Sequence, residues 1–164
     1  MKESMQVFDL INGVPVHPLV VHAIVVLLPL ATLATLAIAA RPSWRPTYGW
    51  LVVAAAAVAT ALIPVATASG EALEERVGDP GRHAQLGDQL IWFAVPLLIT
   101  SAALVWLDWR RRKMVEPGSP TLIRVVTTLA VVAALASAVQ VYRVGDSGAR
   151  AAWKDVPAAG SGDR

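Results

Sequence analysis

Four long stretches of this chain carry almost no charge, and that constrains the fold more than any other feature. They are Pro18–Ala40, Tyr48–Ala68, Gln89–Leu107 and Leu122–Tyr142. The first holds one histidine, the second and third hold no formal charge, and the fourth contains Arg124 and Gln140. An α-helix rises about 1.5 Å per residue, so about 20 residues cross the roughly 30 Å hydrocarbon layer. Each stretch predicts a transmembrane helix, with Arg124 near the start of the fourth reaching back to an interface. Buried helices of a soluble bundle would show a polar stripe every 3.6 residues; these do not. The chain is 55% hydrophobic and 16% charged, against about 25% charged for a soluble domain. The expected fold is all-α: a polytopic membrane protein with a four-helix transmembrane bundle over residues 1–156. Residues 157–164, PAAGSGDR, read as a flexible tail, and residues 1–17 as a short amphipathic or extended arm.

Composition removes several functional classes. The chain has no cysteine, so disulfides, iron–sulfur clusters and thiolate metal sites are impossible. The net charge is only +2, and the basic residues form short runs beside apolar stretches, not a stripe suited to nucleic acid. Ala37-Ile38-Ala39 offers a superficial signal-cleavage site. The apolar run is too long for a signal peptide and only Lys2 precedes it, so a retained span is expected.

Aromatic residues cluster at the ends of the runs: Trp44, Tyr48 and Trp50; Trp106 and Trp109; Trp92 and Phe93; Tyr142. Such rings concentrate at bilayer interfaces. Lys and Arg divide equally between the two sides, but Arg110, Arg111, Arg112 and Lys113 abut a span directly. Positive charge in short loops marks the cytoplasmic side. The expectation is a multi-pass protein of the cell (inner) membrane with both termini extracytoplasmic.

Pro29, Pro64 and Pro96 fall inside the first three spans. Each removes an amide donor and frees a carbonyl four residues back, so kinks and a shaped cavity are expected. Ala130, Ala134 and Ala138 in the fourth span, with Ala55/Ala59 and Ala57/Ala61 in the second, form small-xxx-small faces. These allow close helix packing, within the bundle or in a homo-oligomer. No internal repeat is strong enough to claim.

All three histidines, His17, His22 and His83, map to the outer side. Imidazole suits haem iron, zinc and copper, and an ionisable group at a span is a functional candidate. His17 and His22 lie about 140° apart on an ideal helix, so His22 with His83 is the better pair on spacing. A structural role, with His22 bonded to a neighbouring helix, competes with this. Glu71, Glu74, Glu75, Asp79 and Asp88 lie in the same outer loop, read as 69–88, and Arg143 and Asp146 leave the last span nearby. Glu71 and Glu75 share a helical face. The segment 143–149 has glycines, Asp146 and Ser147 suited to a turn with exposed amides. No nucleotide loop, serine triad or zinc-protease motif appears, so no catalytic residues are assigned and the reading leans away from an enzyme.

The elements VPVHPLVVH at 14–22, RHA at 82–84 and VYRVGDSGA at 141–149 resemble the domain of unknown function 2231 family, small four-span bacterial membrane proteins, in its actinobacterial branch. The resemblance covers nearly the whole chain. Its most specific part carries over His17, Pro18 and His22. Many members read histidine-phenylalanine-proline where this chain has His22-Ala23-Ile24, and carry a further histidine where it has Gly145-Asp146. The family has no settled activity; fusions of similar domains to Rieske-type modules imply a redox setting by analogy.

The first functional expectation is a redox-associated module holding haem b or a transition metal near the outer leaflet through His22 and His83, with His17 as a further ligand candidate. A non-catalytic scaffold or accessory subunit of a membrane partner is the alternative. A small-solute or ion carrier is the weakest, since no span carries a central carboxylate and no inverted repeat is evident.

Overall fold

A computed structural model describes residues 10–11, 14–78, 81–114 and 119–153. Two short antiparallel strands, β1 (Leu10–Ile11) and β2 (Val14–Pro15), lead into α1 (Val16–Ala40). A 3₁₀ turn (Pro42–Trp44) connects to α2 (Arg45–Val77). A short helix α3 (Arg82–Asp88) precedes α4 (Ile91–Lys113), and α5 (Pro120–Ala152) completes the chain. The protein is an all-α membrane bundle: four helices, α1, α2, α4 and α5, are long and apolar enough to span a bilayer.

The helices run up and down in chain order. α1 packs on α2, α2 on α4, α4 on α5 and α5 back on α1, while the diagonals scarcely touch. One end of the square holds the start of α1, the end of α2, all of α3 and the end of α5. We call it the histidine end, and the opposite one the arginine end.

The apolar residues do not sort into a wet and a dry face. Leu33, Leu51, Val132 and Leu135 are exposed as fully as surface residues of a soluble protein, because lipid solvates them. Besides Leu28, Ile38, Leu97 and Leu104, much of what goes inside is small or hydroxylated. Ala31, Ala56, Ala59, Ala94, Ala130 and Ala134 are fully buried, as are Thr35, Ser101 and Ser137. Small side chains let helix backbones approach, and dispersion holds the bundle where hydrophobic driving force is absent. Thr32, Thr35 and Thr60 bond back to carbonyls of their own helices, those of Leu28, Ala31 and Ala56, so no lone hydroxyl faces the core. Ala130 and Ala134 are consumed within the bundle; Ala138 is exposed.

The buried positions repeat. At one constant offset Ile24, Leu28, Ala31, Thr35 and Ile38 of α1 correspond to Leu90, Ala94, Leu97, Ser101 and Leu104, four of them in α4; every one is buried. At a second constant offset Val52, Ala56 and Ala59 of α2 match Ala130, Ala134 and Ser137 of α5, also all buried. The α1–α2 hairpin and the α4–α5 hairpin are therefore two copies of one packing pattern, inserted in the same sense. The identities at matched positions are mostly different, which hides the repeat from sequence inspection.

Two expectations need correction. The segment from Ser69 to Val77 is not loop but the last turns of α2, capped by Gly78 at φ 91°. Likewise 143–149 is not a turn; α5 runs helical to Ala152. The helix consumes those amides, so no exposed nest exists there. Glycine is a poor helix former, but tertiary contacts override it at Gly148, as described below. The three prolines sit in continuous helices. The tail 157–164 and Asp79 lie outside the described residues, as does the side chain of Glu75.

The arginine end is fastened by Arg45. Its side chain is buried, its Nε donates to the Ile38 carbonyl at 2.8 Å and an Nη to that of Ala39 at 3.3 Å. These are the last carbonyls of α1, which no helical amide reaches. The same guanidinium lies 3.7 Å from Asp108 of α4, whose other oxygen accepts from Arg112 at 2.8 Å. Arg41 sits over the Trp44 ring, Arg110 over Trp106 and Lys113 over Trp109, an arrangement suited to an interfacial belt.

Candidate functional site

A cavity of about 910 Å³ opens at the histidine end between α1, α2, α3 and α5, with Leu90, just before α4, at its base. Its floor is apolar, formed by Leu28, Ile63 and Leu90; its upper wall carries His17, His22, His83, Glu71, Glu74 and Asp88. Leu122 to Tyr142 of α5 accounts for about 30 Å of rise. Tyr142 and Trp92 project outward near this level, 73% and 76% exposed. Ser147 and Gly148 lie beyond them, so the upper wall stands at headgroup height.

His17 and His83 occupy matching sockets. His17 Nδ1 donates to the Ala66 carbonyl at 2.9 Å and lies 3.3 Å from Ser69 Oγ, and Ser69 Oγ itself donates to the Ala66 carbonyl at 3.1 Å. His83 Nδ1 donates to the Val144 carbonyl at 3.2 Å and lies 3.3 Å from Ser147 Oγ, which donates to the Val144 carbonyl at 2.8 Å. A glycine follows each serine. A Cβ on Gly70 would stand 3.1 Å from His17 Cε1, and one on Gly148 3.0 Å from His83 Cε1. Ala66, Ser69 and Gly70 map onto Val144, Ser147 and Gly148 at the offset that relates α2 to α5.

A backbone carbonyl can only accept, so each Nδ1 carries a proton; in the neutral form of the ring the lone pair is then on Nε2. Neither Nε2 has a hydrogen-bond partner among the described residues. No buried side-chain nitrogen or oxygen there lacks a partner, so both half-buried rings keep Nε2 in reach of solvent. A ring whose Nδ1–H is tied to a carbonyl and whose Nε2 is open is the usual state of a ligating histidine.

The other expected residues divide. His22 lines the cavity, but it is exposed and its Nδ1 bonds to the Pro18 carbonyl of its own helix. Glu71 and Asp88 line the cavity; Arg143 and Asp146 do not. Arg143 donates to Gln140 Oε1 at 3.2 Å, and Asp146 pairs with Arg150 at 3.0 Å. Pro29 lines the cavity, whereas Pro64 and Pro96 are exposed on the outer face of the bundle. Among the described residues no group of three or more His, Asp and Glu is placed to hold a metal ion.

Sequence reasoning missed Ser69, Gly70, Ser147 and Gly148 as partners of the histidines. The Ser-Gly dipeptides at 69–70 and 147–148, at a constant offset, were the available signal. It also missed Gln140, fully buried, whose Nε2 donates to the Leu86 carbonyl at 2.9 Å and ties α3 to α5.

The chain matches the family described as predicted membrane protein, DUF2231, over residues 13–158, and it belongs to that family. No curated protein and no solved structure matches it.

Proposed function

We propose that this DUF2231 protein is a redox-associated membrane module that binds haem b or a transition metal in the cavity at its histidine end. The observation that carries this reading is the pair of imidazoles on the cavity wall, each with Nδ1–H anchored and Nε2 without a partner among the described residues. The cavity falls within the usual ligand-site range of about 300–1,000 Å³ and has the usual apolar lining with few polar groups. The histidine end faces the extracytoplasmic side in this reading, because Arg41 and the 110–113 cluster crowd the other end.

The scaffold alternative draws on the alanine faces and the acidic outer segment as partner surfaces; Ala130 and Ala134 are already spent inside the bundle, and Glu71, Glu74 and Asp88 line the cavity. The carrier alternative gains nothing, since the cavity's charged groups stay at its upper wall. The test is an absorption spectrum with metal analysis of detergent-purified protein, before and after addition of haemin. A Soret band at about one haem per chain, or one bound transition metal, is expected. Protein that stays colourless and metal-free through the titration would discard the reading.

A further inference from the structure

We infer that the ligand is haem rather than a bare metal ion, and that His17 and His83 together supply both of its axial positions. This rests on the reading above and narrows it. Three observations lead here. The two sockets repeat atom for atom: ring Nδ1, carbonyl, serine hydroxyl, glycine. The His17 socket lies on the α1–α2 seam and the His83 socket on the side of α5, so in a square bundle they stand on opposite sides of the axis. Both rings line the one cavity between them.

Donor number then selects the ligand. A protein site for zinc or copper needs about three or four side-chain donors, and no such group exists among the described residues. Haem brings four equatorial nitrogens of its own and takes at most two axial ligands from the protein. Two opposed imidazoles with apolar surface beneath them match that requirement. His22, bonded back to Pro18 and without a histidine counterpart (Asp88 stands at the matching position), is not part of the pair.

The test is a haemin titration of the full-length protein in detergent, followed by visible spectra of the ferric and ferrous forms. Wild-type protein is expected to give a six-coordinate low-spin spectrum with resolved α and β bands. His17→Ala and His83→Ala should each give a high-spin spectrum and at least tenfold weaker binding. Added imidazole should restore the low-spin bands in both, which also shows that the variants are folded. His22→Ala should keep the six-coordinate low-spin bands. Low-spin bands that survive loss of His17 or of His83, or that vanish with His22→Ala, would overturn the axial pair and leave haem binding itself standing. A wild-type protein that takes up no haemin but one equivalent of zinc or copper would overturn the choice of ligand and leave the broader reading standing. Wild-type protein that takes up neither defeats both.

Discussion

The histidine sockets turn on the absence of two methyl groups. Replacing Gly148 with alanine gains roughly 1 kcal/mol of helix propensity, but the new Cβ meets a ring carbon at 3.0 Å. The ring is held by its bond to Val144 and cannot simply rotate away. Overpacking of this kind costs about 1–3 kcal/mol, so Gly148→Ala should be net destabilising by about 1 kcal/mol. Gly145, one turn earlier, has nothing within 4 Å of an added Cβ. Gly145→Ala should therefore stabilise by about 0.5–1 kcal/mol. Thermal unfolding in one detergent measures the pair, and the opposite signs are the diagnostic.

Ser69→Ala and Ser147→Ala should each cost about 1 kcal/mol by removing one neutral hydrogen bond, leaving the Nδ1–H tautomer unchanged in ¹⁵N spectra of the imidazoles. His17, His22 and His83 were visible in the sequence because the chain has only three histidines and all fall at one end of the spans. What each ring touches was not, because it depends on the rotational register of α2 and α5, which uninterrupted apolar runs do not encode.

At the scale of elements, α2 approaches α4 tightly near the arginine end. A Cβ on Gly49 would lie 2.8 and 2.9 Å from the two Val105 methyls. Gly49→Ala should destabilise by about 1–3 kcal/mol. Combining it with Val105→Ala should cost less than the sum of the single changes, with a coupling of about 1 kcal/mol, read from a double-mutant cycle of thermal melts. Arg45→Ala removes the donors to Ile38 and Ala39 and uncovers Asp108. Breaking a buried ion pair costs about 3–5 kcal/mol; with Arg112 still on Asp108, about 3 kcal/mol is expected from the same melts.

The four spans were legible because lipid admits only long uninterrupted apolar helices. Their continuation past Ala68 and Tyr142 was not. Polar residues and glycines beyond a bilayer look the same whether they form a loop or the wet end of a helix. The burial of Arg45 against Asp108 is not legible either, because a basic residue beside a span reads as an exposed interfacial charge.

At the scale of the molecule, an even number of spans returns the chain to its starting side. Reporter fusions at the two ends should agree, and the positive-inside rule expects both outside the cytoplasm. Opposite compartments would contradict the four-span bundle; agreement on the cytoplasmic side would reverse only the proposed orientation. The duplicated packing has one more effect. Because both hairpins enter the bilayer in the same sense, half a rotation about the bundle axis exchanges the two imidazole anchors. A flat guest standing along that axis would find nearly the same handholds with its two faces exchanged. Matched positions whose side chains differ, such as His22 opposite Asp88, Glu71 opposite Ala149 and Glu74 opposite Ala152, would favour one seating over the other.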